Sequence, residues 1–448
     1  MLQGSQVPKA DQNRALALST IAFTACFAVW TIFSIIGVAI KKELSLSEFE
    51  FGLLVATPIL TGSLTRLFLG VWTEKYGGRL VFSGQMILAG MATWALTWAS
   101  SYEMYLLAAL GIGLAGGSFI IGVAYVSRWY PLGKQGTALG IFGAGNVGAA
   151  VTKFVAPFVM VAYGWQGVAQ AWAVGLMLMG VLFFIFAKDD PELVARRKSG
   201  LKFPSLKEQF APLAKLQVWR FSLYYFFVFG AFVALALWMP NYLIEVYGVD
   251  IKTAGMSAAM FSLSASVFRA YGGHLSDRFG ARTVMYWTFG FSLLFLFMLS
   301  YPPTDYVIQG KDGPIQFSTQ MGQWPFVATL FALGFFMSLG KAAVFKHIPV
   351  YYPNHVGSVG GLVGMIGGLG GFILPITFGA MLDLTGIYTS CFALLFVLVA
   401  IALAWMHVSI RLMERKAHGA ALDRLPDLPE MQEIHDPDTT RMPRGAAV

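Results

Sequence analysis

Charge is what this sequence has least of. Of its 448 residues only 12% are Asp, Glu, Lys or Arg, about half the share of a soluble globular chain, which argues against a water-soluble fold. Cysteine is nearly absent as well. Cys26 and Cys391 both sit inside apolar runs, so they read as small buried residues and no disulfide framework is expected. Acids are missing from one place in particular: all 23 carboxylates fall at the ends of apolar runs, in loops or in tails. No buried carboxylate pair, metal-ligand cluster or nucleophile–base motif follows from the pattern. A membrane enzyme, a metal site and a bound cofactor are therefore not expected. No long polar stretch supplies a sensor or effector domain, which argues against a non-transporting membrane receptor. The opening "MLQGSQVPKADQNRALALST" has no short apolar core followed by a small-residue cleavage site, so the first apolar run is expected to act as both targeting signal and anchor.

What fills the chain is apolar. Hydrophobic residues make up 57% of it, and the mean hydropathy is +0.65. Runs long enough to cross a bilayer recur at 15–40, 50–72, 80–99, 103–127, 136–162, 166–187, 219–244, 253–275, 283–301, 323–348, 356–381 and 387–410. The expected fold class is an all-α membrane protein with twelve transmembrane helices. With both termini in the cytoplasm, the cytoplasmic segments hold Lys9, Arg14, Lys75, Arg79, Arg128, Lys134, Arg278, Arg282 and the bases of a linker and a tail. The outer loops hold only Lys41, Lys42, Lys252 and Lys311. That is the asymmetry of a multi-pass protein of a bacterial inner membrane. The net charge of +8 thus follows topology, and no nucleic-acid partner is needed to explain it.

The halves repeat. "RLFLGVWTEKYGGR" (66–79) aligns with "RAYGGHLSDRFGAR" (269–282) at a constant offset, matching Arg66 with Arg269, Gly70 with Gly273, Glu74 with Asp277 and Arg79 with Arg282. "WYPLGKQGTALGIFGAGNVG" (129–148) aligns with "YYPNHVGSVGGLVGMIGGLG" (351–370). Two pairs in the same order predict two pseudo-symmetric six-helix bundles, 1–187 and 219–410. A cytoplasmic linker, 188–218, joins them, and a polar, disordered cytoplasmic tail, 411–448, follows. A substrate site is expected at the midplane between the bundles.

The charges inside the spans are all basic: Arg66, Arg269, Lys153, Lys341 and Lys346, with His347 beside the last. A cation at the bilayer centre costs roughly 2.5–3.5 kcal/mol on insertion scales and needs a partner. No carboxylate is available near the midplane, so the simplest partner is an anionic substrate. Arg66 and Arg269 occupy equivalent repeat positions, which predicts guanidiniums on facing helices at similar depth. Their planar donor forks suit a small oxyanion. The glycine runs "GIFGAGNVGAA" (140–150) and "GLVGMIGGLGGF" (361–372) allow close helix approach and bring Asn146 near a small ligand. No strand precedes either run, so neither is a dinucleotide loop.

The loop stretches with Glu74 and Asp277 resemble the motif of the major facilitator superfamily. The resemblance implies a gating role for Gly70, Glu74, Arg79, Gly273, Asp277 and Arg282 on the cytoplasmic side. The arginine pair together with "GNVGAAVTKFVAP" and "GGLVGMIGGLGGFILP" resembles the nitrate/nitrite porter family within it. That resemblance implies that Arg66 and Arg269 bind the anion, that Tyr225 and Phe229 of "YFFVFGAF" line the site, and that Asn146 adds a polar contact. Lys153 and Lys346 depart from the family's neutral polar residues and resemble its nitrate–proton symporter branch. They become candidates for proton coupling, with His347 as a rival. The expectation is a monomeric carrier importing nitrate, with nitrite as a further substrate, together with protons. A nitrate/nitrite exchanger or a carrier of another small anion is the alternative.

Overall fold

A computed structural model describes residues 8–130, 132–189, 211–352 and 356–418. Among them, ten continuous helices are long and apolar enough to cross a membrane. Two local features raise that number to twelve segments. The helical stretch Thr137–Phe186 has 50 residues, about 75 Å of helix against a hydrocarbon core of about 30 Å. Gly164, at φ 72°, turns the chain there and divides α5 (132–163) from α6 (165–186). A break at Phe268, between Ile251–Val267 and Arg269–Phe279, interrupts a further segment, α8 (251–279). The others are α1 (Lys9–Leu44), α2 (Glu48–Tyr76), α3 (Gly78–Trp98), α4 (Tyr102–Ser127), α7 (Leu216–Tyr247), α9 (Ala281–Ser300), α10 (Gln323–Tyr351), α11 (Val356–Thr385) and α12 (Ser390–His418). The order and number of segments match the sequence reading.

Several boundaries move. The first helix starts at Lys9 and the seventh at Leu216, both ahead of the apolar run, because helical hydrogen bonding continues into water where hydropathy does not. α12 carries on through His418 and takes in the start of the expected tail. Residues 190–210 of the expected linker and 419–448 of the tail lie outside the described residues. An antiparallel hairpin, β1 (Thr304–Gly310) and β2 (Gly313–Thr319), joins α9 to α10 where the sequence suggests only a loop.

The repeat is visible in the backbone. α2 ends at Gly77 with φ 95°, and α8 ends at Gly280 with φ 84°. Each glycine is followed directly by the next helix, so both motif loops turn on a conformation that disfavours any side chain. Lys188 pairs with Asp11 at 3.2 Å, and Arg282 with Glu414 at 3.1 Å, tying helix ends together where α1 begins and α12 ends. The opposite end is latched across the two halves. Lys41 of α1 reaches Glu48 at 2.6 Å and Glu245 of α7 at 3.6 Å. Asp383 of α11 accepts from the Glu48 and Phe49 backbone N–H groups at 3.3 and 2.9 Å, capping the N-terminus of α2 from the other half.

Candidate functional site: a buried cationic centre

α2 and α11 face each other along their length, and Arg66 projects between them. It is 3% exposed. Its Nη1 donates to the Gly364 carbonyl of α11 at 2.6 Å, and its Nε donates to the Gly116 carbonyl of α4 at 3.3 Å. Its guanidinium lies over the rings of Trp30, Phe119 and Phe229 at 5.4–5.8 Å. A side chain at Gly368 would have its Cβ 2.4 Å from Ser63 Oγ and 3.2 Å from Arg66 Nη1. The glycine run of α11 thus makes the room that the arginine occupies.

Arg269 opens the second piece of α8, just after the break at Phe268. It is 5% exposed, and its Nη1 has no hydrogen-bond partner among the described residues. Its guanidinium lies 5.4 Å from the same Phe119 ring and 5.7 Å from Phe345. Gly143 of α5 lets it in, since a Cβ there would stand 3.1 Å from Arg269 Nε and Cζ. The two arginines therefore converge on Phe119. Tyr225 borders the same place, since its ring meets that of Phe345, which Arg269 also faces. No carboxylate pairs with either guanidinium among the described residues.

The aromatic wall comes from a distortion of α7. Residues Phe226–Ala231 form a π-helical turn, a widening that recurs at functional sites. It stacks Tyr225 on Phe229, with centroids 5.0 Å apart and planes 9° apart. Tyr225 also meets Phe345 edge-on at 5.0 Å. Asn146 lies one turn beyond Gly143. It is fully buried, and neither its amide nitrogen nor its oxygen has a partner among the described residues. A buried amide left unpaired costs about 1–3 kcal/mol, and an oxyanion, which only accepts, would relieve the N–H part of that cost.

The remaining candidates separate. Lys153 is fully buried on α5 and donates to the Ala149 carbonyl of its own helix at 3.0 Å. Lys346 lies away from the arginines and pairs with Asp277 at 3.1 Å. His347 lies near Phe221 and Tyr351 and contacts the Ala343 carbonyl through Nδ1 at 2.9 Å. Among the loop residues, Gly70 lies against Ile120, Arg79 donates to the Phe184 carbonyl at 2.8 Å, Arg282 holds Glu414, and Gly273 faces open space. The side chain of Glu74 lies outside the described residues.

Lys341 counts in the sequence only as one more buried base, and the structure brings it to the centre. It is fully buried, and its Nζ stands 3.2 Å from the Phe232 centroid and 5.9 Å from that of Phe229, the ring over which Arg66 also lies. Its ammonium donates at 2.9 Å to the carbonyl of Ala265, in the last turn before the break in α8. The signal for it is present in the sequence: a lysine in mid-span with no acid in reach.

Twelve membrane-length segments in two repeating sets, with a pair of arginines buried at their junction and no acid beside them, define a secondary carrier of the major facilitator class. The model of the Major Facilitator Superfamily matches residues 18–310. An inward-facing bacterial homologue of the human lysosomal transporter Spinster superposes with a TM-score of 0.66 at 16% identity, covering 91% of this chain and 98% of that one. The chain belongs, more narrowly, to the nitrate/nitrite porter family of that superfamily. It is 44% identical to the "Probable nitrate/nitrite antiporter NarK1" of Thermus thermophilus over 424 residues, 91% of this chain and 94% of the relative. It is 31% identical to the "Nitrite extrusion protein" of Bacillus subtilis over 378 residues, 84% and 89% of the two chains. The protein is a multi-pass membrane transporter and not an enzyme.

Proposed function

We propose that the protein imports nitrate across the bacterial inner membrane by alternating access between two six-helix bundles, with a proton as co-substrate and both termini in the cytoplasm. The single observation that carries the substrate class is the convergence of Arg66 and Arg269 on Phe119 with no acid between them among the described residues. Two forked donors over flat aromatic faces suit a thin, planar, singly charged oxyanion, and in this reading Asn146 and Tyr225 complete its coordination. In this structure the Gly364 carbonyl takes one of Arg66's donors. An arriving anion competes for that donor, and so binding loosens the contact between α2 and α11 that rocking must break. Lys153 is the proton-coupling residue in this reading, because its ammonium is buried and is held by a single carbonyl of its own helix.

Exchange of nitrate for nitrite is the second reading. The Thermus relative, named as a nitrate/nitrite antiporter, and the Bacillus relative, named for nitrite extrusion, favour it. Reconstituted into proteoliposomes, the symporter takes up nitrate in response to an inward proton gradient and loses that response on addition of an uncoupler. Lys153→Gln should keep nitrate binding and lose the gradient dependence. Uptake that ignores the gradient but is driven by internal nitrite would replace symport with exchange. Uptake of neither ion would refute the substrate assignment.

A further inference from the structure

Arg220 stands apart from the central site. It lies in the first half of α7, near the last turns of α12. It is 7% exposed, its Nε has no hydrogen-bond partner, and no carboxylate pairs with it among the described residues. One turn on, Tyr224 is 2% exposed, and its hydroxyl is likewise without a partner. Residues four apart share a helix face. Both line a recess between α7, α10 and α12, whose walls include Phe221, His347, Tyr351 and Met406. No acid is among the residues that line it, and Glu414, which follows the lining residue Met413 in α12, is engaged by Arg282 at 3.1 Å and Arg411 at 3.5 Å. A buried guanidinium with no acid of its own leaves a charge that the protein does not neutralise.

The residues around the recess say what can reach it. Trp219, next to Arg220, is 46% exposed. Lys215, just before α7, and Arg411, on the last turns of α12, are exposed. Tryptophan with flanking bases marks the headgroup level of a bilayer, and basic pockets between helices at that level hold anionic headgroups. We infer that the Arg220–Tyr224 recess is a second oxyanion site. It binds a phosphate group, carried by an anionic phospholipid or free in solution, with the guanidinium supplying charge and forked donors and the phenol a further donor. The site is separate from the arginine pair and independent of what that pair transports.

The test uses the full-length protein purified in detergent. Phosphatidylglycerol retained through delipidation is counted by native mass spectrometry, with phosphatidylcholine as the comparison lipid. In a second arm, lipid-free protein is titrated with sodium phosphate against sodium chloride at equal ionic strength, with thermal unfolding as the readout. Wild type should retain phosphatidylglycerol selectively, and Arg220→Gln should bind it about tenfold more weakly, as expected for a lost charge-assisted contact. Tyr224→Phe keeps both shape and charge and should weaken binding by a smaller factor, which preserves the test if Arg220→Gln does not fold. Selectivity for phosphatidylglycerol that the variants lose identifies a lipid headgroup. Protection by free phosphate alone, lost in the same variants, identifies a soluble oxyanion. Equal behaviour of wild type and both variants in both arms overturns the site.

Discussion

Replacing Arg66 with Lys keeps a positive charge in the centre and removes the fork, so it isolates what geometry contributes. Arg66 makes two backbone hydrogen bonds in different directions, to Gly364 and Gly116, with three aromatic rings around its guanidinium. A lysine amine is a point donor. It can keep the bond to Gly364 or meet an anion, but it cannot brace against Gly116 while doing so. Hydrogen bonds to charged groups contribute about 1.5–3 kcal/mol each, so the loss of one anion contact should weaken nitrate binding by about 2–3 kcal/mol. At 1.4 kcal/mol per factor of ten, that is roughly a 30- to 150-fold rise in Kd. Calorimetry on purified protein gives Kd directly, and proteoliposome uptake gives KM and maximal rate. Arg269→Lys should behave alike, and the double variant should lose much less than the sum of the two, because both residues hold one ion. An Arg66→Lys variant with a KM within about threefold of wild type would refute the forked clamp, and fully additive losses would refute the shared ion.

Gly143→Ala places a methyl 3.1 Å from the Arg269 guanidinium and should raise KM several-fold at normal expression, whereas Gly140→Ala, which meets nothing within 4 Å, should be silent; equal KM values in the two variants refute the packing argument. Asp383→Asn removes the charge that caps α2 from the other half, a contact of about 1 kcal/mol. A cysteine introduced at the buried Ile59 should then react about fivefold faster with a membrane-impermeant thiol reagent, and an unchanged rate means that the latch does not govern opening. Lys341→Met removes a buried base whose Nζ lies among the rings of Phe229 and Phe232, beside the arginine pair. Its nitrate Kd should rise at least tenfold, and an unaltered Kd would remove Lys341 from the site.

The sequence disclosed most of the architecture because membrane folding leaves few choices. Backbone groups in hydrocarbon must be paired within the segment, so apolar runs of sufficient length become helices. The arginine pair was equally legible: a charge in an apolar run stands out, and a repeat turns one position into two. Other features carried no such mark. The hairpin Thr304–Thr319 rests on backbone pairing between two strands, and its tyrosine, valine and isoleucines look like any loop edge beside longer apolar runs. The π-turn that stacks Tyr225 on Phe229 depends on the neighbouring helix: a side chain at Gly367 would have its Cβ 2.3 Å from Tyr225. The fit between α7 and α11 therefore exists only once they are packed. The break at Phe268 has no proline or glycine to announce it, and one of its carbonyl neighbours is held from α10 by a lysine 76 residues away in sequence.

The bases of α10 show how far a finer reading can go. Lys341, Lys346 and His347 fall within seven residues of one apolar run, and proximity in sequence alone groups the last two as proton carriers. A helix advances about 100° per residue. Lys346 therefore points about 140° away from Lys341, and His347 about 120° away on the other side. The structure follows that wheel. Lys341 enters the centre beside Phe229 and Phe232, Lys346 reaches the motif acid Asp277 at 3.1 Å, and His347 turns to the recess of Arg220. One helix thus serves three places at once: the cationic centre, the motif loop, and the headgroup-level recess. Any rotation or tilt of α10 would move all three together. Lys341 holds the broken α8 at its mid-point and Lys346 holds the end of that same helix, and the two anchors lie about one and a half turns, roughly 7.5 Å, apart along α10. Changes at the cationic centre and at the motif loop are therefore joined through a single rigid element, which is the physical requirement for a loaded site to be felt at the end of the bundle.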